Sequence, residues 1–162
     1  MTYPAQRYLS EQGRISATYR EASQPPELTT ATTRVDYLAT ADSTDKEFGL
    51  YRWAMDQQRS GPDPHFHRSM SESFFVLSGT VRLFDGRRWI DATPGDFLHV
   101  PVGGIHGFRN ESGAPAEMLL LFAPGAPREA YFEGLADIAA SGHTPTDQEY
   151  AQFLRDHDQY RV

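Results

Sequence analysis

Three histidines and one glutamate stand at intervals that suit a metal site. One residue separates His65 from His67, four residues lie between His67 and Glu72, and His106 comes from a later segment. If His65 and His67 lie on one strand, both imidazoles point to the same face, about 6.6–6.8 Å apart. A glutamate beyond a bend and a histidine from another strand can then complete the set.

Three neutral imidazoles and one carboxylate suit a divalent transition metal. Fe, Ni, Mn, Co, Cu and Zn all accept such ligands, with one or two positions left for water or substrate. Each residue alone has an ordinary structural explanation, since a lone glutamate is usually solvated and a lone His-x-His is often a surface feature. Their joint occurrence favours the metal interpretation, but it does not select one metal.

Glycines and prolines flank these four residues at fixed distances. The first segment reads H-x-H-x4-E-x6-G from His65 to Gly79, and the second reads G-x5-P-x-G-x2-H-x3-N from Gly95 to Asn110. These segments resemble the paired motifs of the cupin superfamily, usually written G-x5-H-x-H-x3,4-E-x6-G and G-x5-P-x-G-x2-H-x3-N. The second motif matches at every position, whereas the leading glycine of the first is displaced to Gly61, with three residues and not five between it and His65.

The resemblance covers residues 45–123 and implies a fold and a ligand set. The implied fold is all-β, a double-stranded β-helix or jelly-roll barrel with the metal inside its mouth. The implied ligands of one divalent transition metal per chain are His65, His67, Glu72 and His106. Asn110 is expected to fix a turn through hydrogen bonds to the backbone.

The sequence around the motifs is typical of short strands. From residue 29 to residue 123, runs of branched and aromatic residues alternate with Gly, Pro and Asp clusters, as in a sandwich or barrel. Asp85-Gly86 predicts a hairpin with a two-residue type I′ turn. We therefore expect one cupin domain over residues 1–162, with an irregular extension at 1–28, a β-barrel at 29–123 and a helical tail at 124–162.

The tail changes to a helical period. Tyr131, Phe132, Leu135 and Ile138 form one apolar stripe. A second helix is expected from Thr146 to Tyr160, because its first residues form a capping box. Helices this short are marginal in water, so the stripe is expected to pack on the barrel exterior or near its mouth.

Composition limits the classes of function. A chain of 162 residues suits one domain, and 15 basic against 22 acidic residues give 15 − 22 = −7. That charge disfavours nucleic acid and anionic membranes as partners. The absence of cysteine excludes disulfides and thiolate ligands. No apolar run approaches a membrane span and the first residues are polar, so a cytoplasmic location is expected.

Open sheet edges, and the behaviour of related small cupins, favour a homodimer involving residues 29–55.

Four aromatic or apolar residues are candidates for the wall of a substrate pocket. Phe74 shares strand parity with Glu72, and Phe108 shares it with His106. Trp53 and Met55 lie together on one face of an upstream strand. Each of the four can equally belong to an ordinary barrel core.

Three functions stay open. The first is a dioxygenase acting on a small aromatic or enol, similar to single-cupin quercetin dioxygenases, in which Glu72 accepts a substrate proton and O2 is the co-substrate. The second is a non-redox metal-dependent isomerase, lyase or polyketide cyclase-like cupin, whose metal acts as a Lewis acid. The third is a cupin that binds or senses a small molecule without turnover.

Overall fold

The computed structural model describes residues 2–162 as eleven strands and two helices. The strands are β1 (Leu28–Thr29), β2 (Thr33–Ala39), β3 (Gly49–Met55), β4 (His65–Phe66), β5 (Ser71–Ser78), β6 (Val81–Phe84), β7 (Trp89–Ala92), β8 (Phe97–Val100), β9 (Gly107–Arg109), β10 (Ala116–Ala123) and β11 (Tyr160–Arg161). The helices are α1 (Arg128–Ala140) and α2 (Asp147–Asp156). This confirms the expected β fold with short C-terminal helices.

Two antiparallel sheets face each other around the core. The larger sheet has the strand order β1-β2-β3-β10-β5-β8, and the smaller has the order β7-β6-β9. The β4–β11 ladder extends the smaller sheet, because the backbones of His65 and His106 exchange hydrogen bonds of 2.8 and 2.9 Å. The result is a double-stranded β-helix.

Strand β10 shows most clearly how the core is built. Its residues alternate between buried and half-buried, and Met118, Leu120 and Phe122 face inwards. This period of two is what a strand with one buried face requires. Phe74 of the larger sheet meets Phe108 of the smaller sheet with ring centres 5.9 Å apart, so the two layers share one core.

The hairpin between β6 and β7 has a longer loop than the sequence predicts. Phe84 pairs with Trp89, so four residues connect the strands and not two. Asp85 Oδ1 accepts hydrogen bonds from the backbone N–H groups of Arg87 and Arg88, at 2.8 and 2.9 Å. These bonds satisfy amides outside the ladder, which is how an aspartate stabilises this longer loop.

The tail contains the predicted capping box and one additional strand. Thr146 Oγ1 accepts a hydrogen bond from the N–H of Glu149, and the Glu149 carboxylate accepts one from the N–H of Thr146. Helix α2 ends before Tyr160, because the chain turns at Asp158, which has a positive φ. Strand β11 then pairs with β4. Its two residues are too few to show any periodicity in sequence.

Helix α1 closes one end of the barrel. The ring of Phe132 lies 5.0 Å from Trp53 and 5.2 Å from Tyr51. The Tyr51 hydroxyl donates a hydrogen bond to Glu129 of α1 at 2.5 Å. In the predicted stripe Tyr131 and Phe132 are buried, and Leu135 and Ile138 are half-buried. The tail therefore packs on the barrel as its apolar stripe predicts.

Residues 2–27 contain neither helix nor strand and are almost entirely exposed. Within residues 2–162, no helix combines the length and apolar character that crossing a membrane requires.

Candidate metal centre

The two sheets bring the four predicted ligands to one point. Glu72 comes from β5 of the larger sheet, and the three histidines come from the β4 and β9 side of the smaller one. The candidate ligand atoms all lie within 4.8 Å of one another. None of the four residues is more than 4% exposed. His65, His67, Glu72 and His106 can therefore hold a metal ion.

Each imidazole is oriented by a hydrogen bond at Nδ1. In His65 and His106 this atom donates to the carbonyl oxygen two residues earlier, at 2.8 and 2.9 Å. In His67 it donates to the carbonyl oxygen of Asp158 at 2.6 Å. A carbonyl can only accept, so every Nδ1 carries a proton. In the neutral rings the lone pair is then on Nε2, the atom that a metal needs.

His65 is neutral at physiological pH. Burial lowers the pKa of its imidazole to about 3, and the neighbouring His106 contributes in the same direction. A ring without a proton on Nε2 is ready to act as a ligand without first losing one.

Glu72 contacts the other two imidazoles through one oxygen. Its Oε2 lies 2.8 Å from Nε2 of His106 and 3.1 Å from Nε2 of His67. Burial alone would raise the pKa of Glu72, but the hydrogen bonds from His106 and His67 outweigh it and hold the pKa below its usual range. Burial alone would likewise lower the pKa of His106, and Glu72 raises it.

These short contacts require positive charge between the side chains. With Nδ1 committed to carbonyls, a neutral ring and a carboxylate would face each other as two acceptors, which repel. A proton on Nε2 or a shared cation removes the repulsion. Three nitrogen donors and one carboxylate, buried and preoriented, fit a divalent transition metal ion.

Asp158, which the sequence analysis missed, positions His67 from the far end of the chain. Its carbonyl accepts from His67, and its carboxylate accepts from the N–H groups of Arg68 and Ser69 at 2.8–3.1 Å. Its φ is 56°. The only signal in the sequence is an aspartate just beyond a helix C-terminus, where a left-handed residue commonly stands.

The displaced glycine of the first motif forms part of a cavity wall. Gly61 has a φ of 122°, and a Cβ there would lie 2.1 Å from the carbonyl oxygen of Phe108. Only glycine allows this loop to approach β9 so closely. Directly after β9, the Asn110 amide donates to two backbone carbonyls at 2.7 and 2.8 Å, which confirms its predicted role in a turn.

A cavity of about 230 Å³ lies between the ligand cluster and the tail. Of the four residues predicted for a substrate pocket, Trp53 and Phe108 line it. Met55 is buried at the far end of β3, paired with residues of β2 and β10. Phe74 is fully buried with its ring 5.9 Å from that of His106. These two belong to the core and not to the cavity wall, because strand parity identifies a face but not the height along a strand.

Comparison with known proteins agrees with the fold. The family described as "Cupin domain" matches residues 51–122. Residues 51–122 form a cupin domain. A quercetin 2,3-dioxygenase of Bacillus subtilis (strain 168) is 31% identical over 91 residues, which are 56% of this chain and 26% of that protein. The chain thus spans about a quarter of the length of this curated relative.

Solved cupin-like structures share the architecture of this domain. KdgF from Halomonas sp. superposes with a TM-score of 0.59 at 14% identity, over 70% of this chain and 97% of that one. A predicted oxalate decarboxylase from Thermotoga maritima has a TM-score of 0.58 at 16% identity, over 67% of this chain and 99% of that one. An RmlC-like cupin from Shewanella frigidimarina has a TM-score of 0.58 at 19% identity, over 71% of this chain and 96% of that one. At these identities the likeness shows the fold alone.

One further residue that lines this cavity was missed by the sequence analysis. Arg128, the first residue of α1, is 3% exposed and lines the same cavity as His65 and Glu72. A signal was present, since Arg128 precedes Tyr131 and Phe132 by three and four residues and so lies on the apolar stripe. A cation at a helix N-terminus also opposes the helix dipole. Such a position indicates a role outside the helix.

Proposed function

We propose that this cupin is a metal-dependent dioxygenase acting on a small aromatic or enol substrate. The observation that carries the proposal is the buried cluster of three imidazoles and Glu72 beside an aromatic-lined cavity. The similarity to a quercetin 2,3-dioxygenase supports this reaction class over other metal chemistry.

His65, His67, Glu72 and His106 would hold one divalent ion through three Nε2 atoms and a carboxylate oxygen. Such an ion, when bound, makes a coordinated hydroxyl group more acidic, and a redox-active ion can also exchange electrons with O2. The carbonyl groups that bind the three Nδ1 atoms keep the rings in place, so the protein supplies a rigid donor set.

Glu72 would take the hydroxyl proton of the substrate. Both imidazole contacts use Oε2, and the side chain lines the cavity, so Oε1 is the oxygen left for a substrate proton. A carboxylate with a lowered pKa is a weak base, so the transfer requires an acidic hydroxyl. Enols and phenols next to a cation meet that requirement.

The aromatic walls would orient the substrate ring and exclude water. Trp53, Phe108 and Phe132 line the cavity, and the ring centre of Trp53 lies 6.0 Å from Phe108 and 5.0 Å from Phe132. The faces and edges of these rings can pack against the ring of an aromatic ligand.

An oxygen-uptake screen tests the proposal. Protein loaded separately with Fe(II), Ni, Mn, Co, Cu or Zn is mixed with single-ring enols and phenols, in air and under nitrogen. We expect O2 consumption in step with substrate loss for at least one redox-active metal. Turnover that is unchanged under nitrogen would instead favour a non-redox isomerase or lyase. A tightly held ligand without turnover would favour a binding protein.

A further inference from the structure

Arg128 is a buried cation without an acidic partner. Its side chain is 3% exposed, and within residues 2–162 no carboxylate forms an ion pair with it. Arginine keeps its charge in proteins. A buried charge that is not neutralised is costly, so a residue in this position needs another reason to be there.

The contacts of Arg128 orient its guanidinium group but do not neutralise it. Nη1 donates to the carbonyl oxygen of His157 at 2.8 Å, and Nη2 reaches Gln159 Oε1 at 3.5 Å. Nε is buried and has no hydrogen-bond partner among the residues described by the structure. The guanidinium carbon lies 4.2–5.6 Å from three ring centres, those of Tyr131, Phe122 and Phe132.

The charge of the cavity as a whole favours an anion. Arg128 lines the same cavity as His65 and Glu72. A divalent ion with Glu72 as its single carboxylate ligand keeps one net positive charge, and Arg128 adds a second. In a site walled by aromatic rings, where water screens poorly, an anionic ligand would offset this charge.

The size of the cavity limits that anion to a small molecule. The volume of about 230 Å³ lies below the roughly 300–1,000 Å³ that is usual for drug-sized ligands. One aromatic ring with a short acidic substituent suits such a space better than a molecule with several rings. Guanidinium binds carboxylate strongly, since two N–H groups can donate in parallel.

We propose that Arg128 is the anion-binding residue of this cavity and that the natural ligand is a small single-ring carboxylic acid. Its carboxylate binds the guanidinium and its ring lies against the aromatic walls. The substrate hydroxyl group from which Glu72 would take a proton faces Glu72 and His65. This inference names the substrate class of the proposed dioxygenase and so rests on that function for its catalytic meaning. The binding itself can be measured without turnover.

Titration calorimetry with phenylacetate and its neutral amide, phenylacetamide, tests the proposal on the full chain, both metal-free and metal-loaded. Wild type should bind phenylacetate at least about tenfold more tightly than phenylacetamide, as one charge-assisted contact implies. Arg128→Met should lose that preference while its affinity for phenylacetamide stays within about twofold. Arg128→Lys, which keeps the charge without the planar fork, should fall between them. Arg52→Met removes an arginine of an exposed pair with Glu117 and serves as the control.

Three results would overturn the inference. They are equal affinity of wild type for the acid and the amide, no phenylacetate binding to wild type at millimolar concentration, and unchanged phenylacetate affinity in folded Arg128→Met. If Arg128→Met does not fold, the acid-to-amide ratio of wild type and of Arg128→Lys decides. Oxygen uptake separates the two proposals. Acid-selective binding without oxygen uptake would refute the dioxygenase proposal and support the anion site. Oxygen uptake with neutral substrates only would refute the anion site and support the dioxygenase.

Discussion

At the scale of single residues, Glu72 is where metal binding and proton transfer would meet. Its carboxylate supplies the one negative charge of the ligand cluster, and both nearby imidazoles contact the same oxygen. A fourth histidine in its place could bind a metal but would leave no carboxylate oxygen to accept a proton. The two roles of Glu72 are therefore separable by a substitution that keeps the shape and removes the charge.

Glu72→Gln should retain much of the metal and bind substrate, yet lose about 10²–10⁴-fold in turnover if Glu72 is the base. Gln keeps one oxygen donor and the size of the side chain but cannot take up the proton. Turnover per bound metal, measured beside metal content, checks this. Activity per metal within a few-fold of wild type would show that Glu72 is a ligand only and would remove the proposed proton transfer.

The four candidate ligands could be predicted from sequence, but the residues that support them left only weak local signals. His65, His67, Glu72 and His106 stand at a spacing that has chemical meaning by itself. Arg128 and Asp158 reach the site only because the tail folds back over the barrel. A local pattern marks each position as unusual, but it does not show that these residues contact the ligand cluster or its cavity, because those contacts are with residues far away in the chain.

At the scale of elements, the C-terminal tail completes the site. Helix α1 supplies Arg128, Tyr131 and Phe132 to the cavity, and the turn after α2 supplies the carbonyl that orients His67. Strand β11 ties this turn to β4. The barrel and tail thus form one cavity, so loss of the tail should affect both stability and metal binding.

Truncation after Pro124 should give insoluble protein or lower the melting temperature by at least roughly 10 °C. Burial of Phe132 and Leu154 alone contributes on the order of 1.5–3 kcal/mol for each side chain, against a total of roughly 5–15 kcal/mol for a typical domain. Differential scanning calorimetry measures the change. Deletion of residues 2–18, all exposed, is the control and should change little. Equal melting of the tail-less and intact chains would refute the role of the tail.

The elements that sequence predicted well are those with a repeated pattern. Strands such as β10 alternate over eight residues, and the capping box at Thr146 fixes a helix start. The two-residue strands β4 and β11 have no pattern to detect, and their pairing depends on a tertiary contact. The loop between β6 and β7 was predicted as too short, because Asp-Gly suits several turns and the Asp85 side chain selects among them.

At the scale of the whole molecule, the larger sheet leaves apolar surface and an open edge. Strand β1 lies at one edge and β8 at the other. Near β8, Phe75, Leu77 and Phe97 are 39%, 36% and 64% exposed. Exposed neighbouring apolar side chains on one sheet are a common feature of association surfaces, and open edges favour pairing.

The open β1 edge lies beside residues 29–55, so we expect a homodimer formed at least partly through these residues. Light scattering at micromolar concentration should give about twice the chain mass of 18.2 kDa. Phe97→Glu distinguishes the two ways to associate, since it should shift the mass towards monomer if the outer face is buried and leave it unchanged if only the β1 edge pairs. A wild-type mass equal to one chain would contradict the dimer.

The metal content of freshly purified protein tests the central claim most directly. Elemental analysis of wild type should find about one transition metal ion per chain. The double variant with His65→Ala and His106→Ala should lower this metal content at least severalfold, while circular dichroism shows that the fold is retained. The control is a double variant with His99→Ala and His143→Ala, two histidines outside the cluster. It should keep the metal content of the wild type. Full metal occupancy in the His65, His106 double variant would contradict the proposed metal centre.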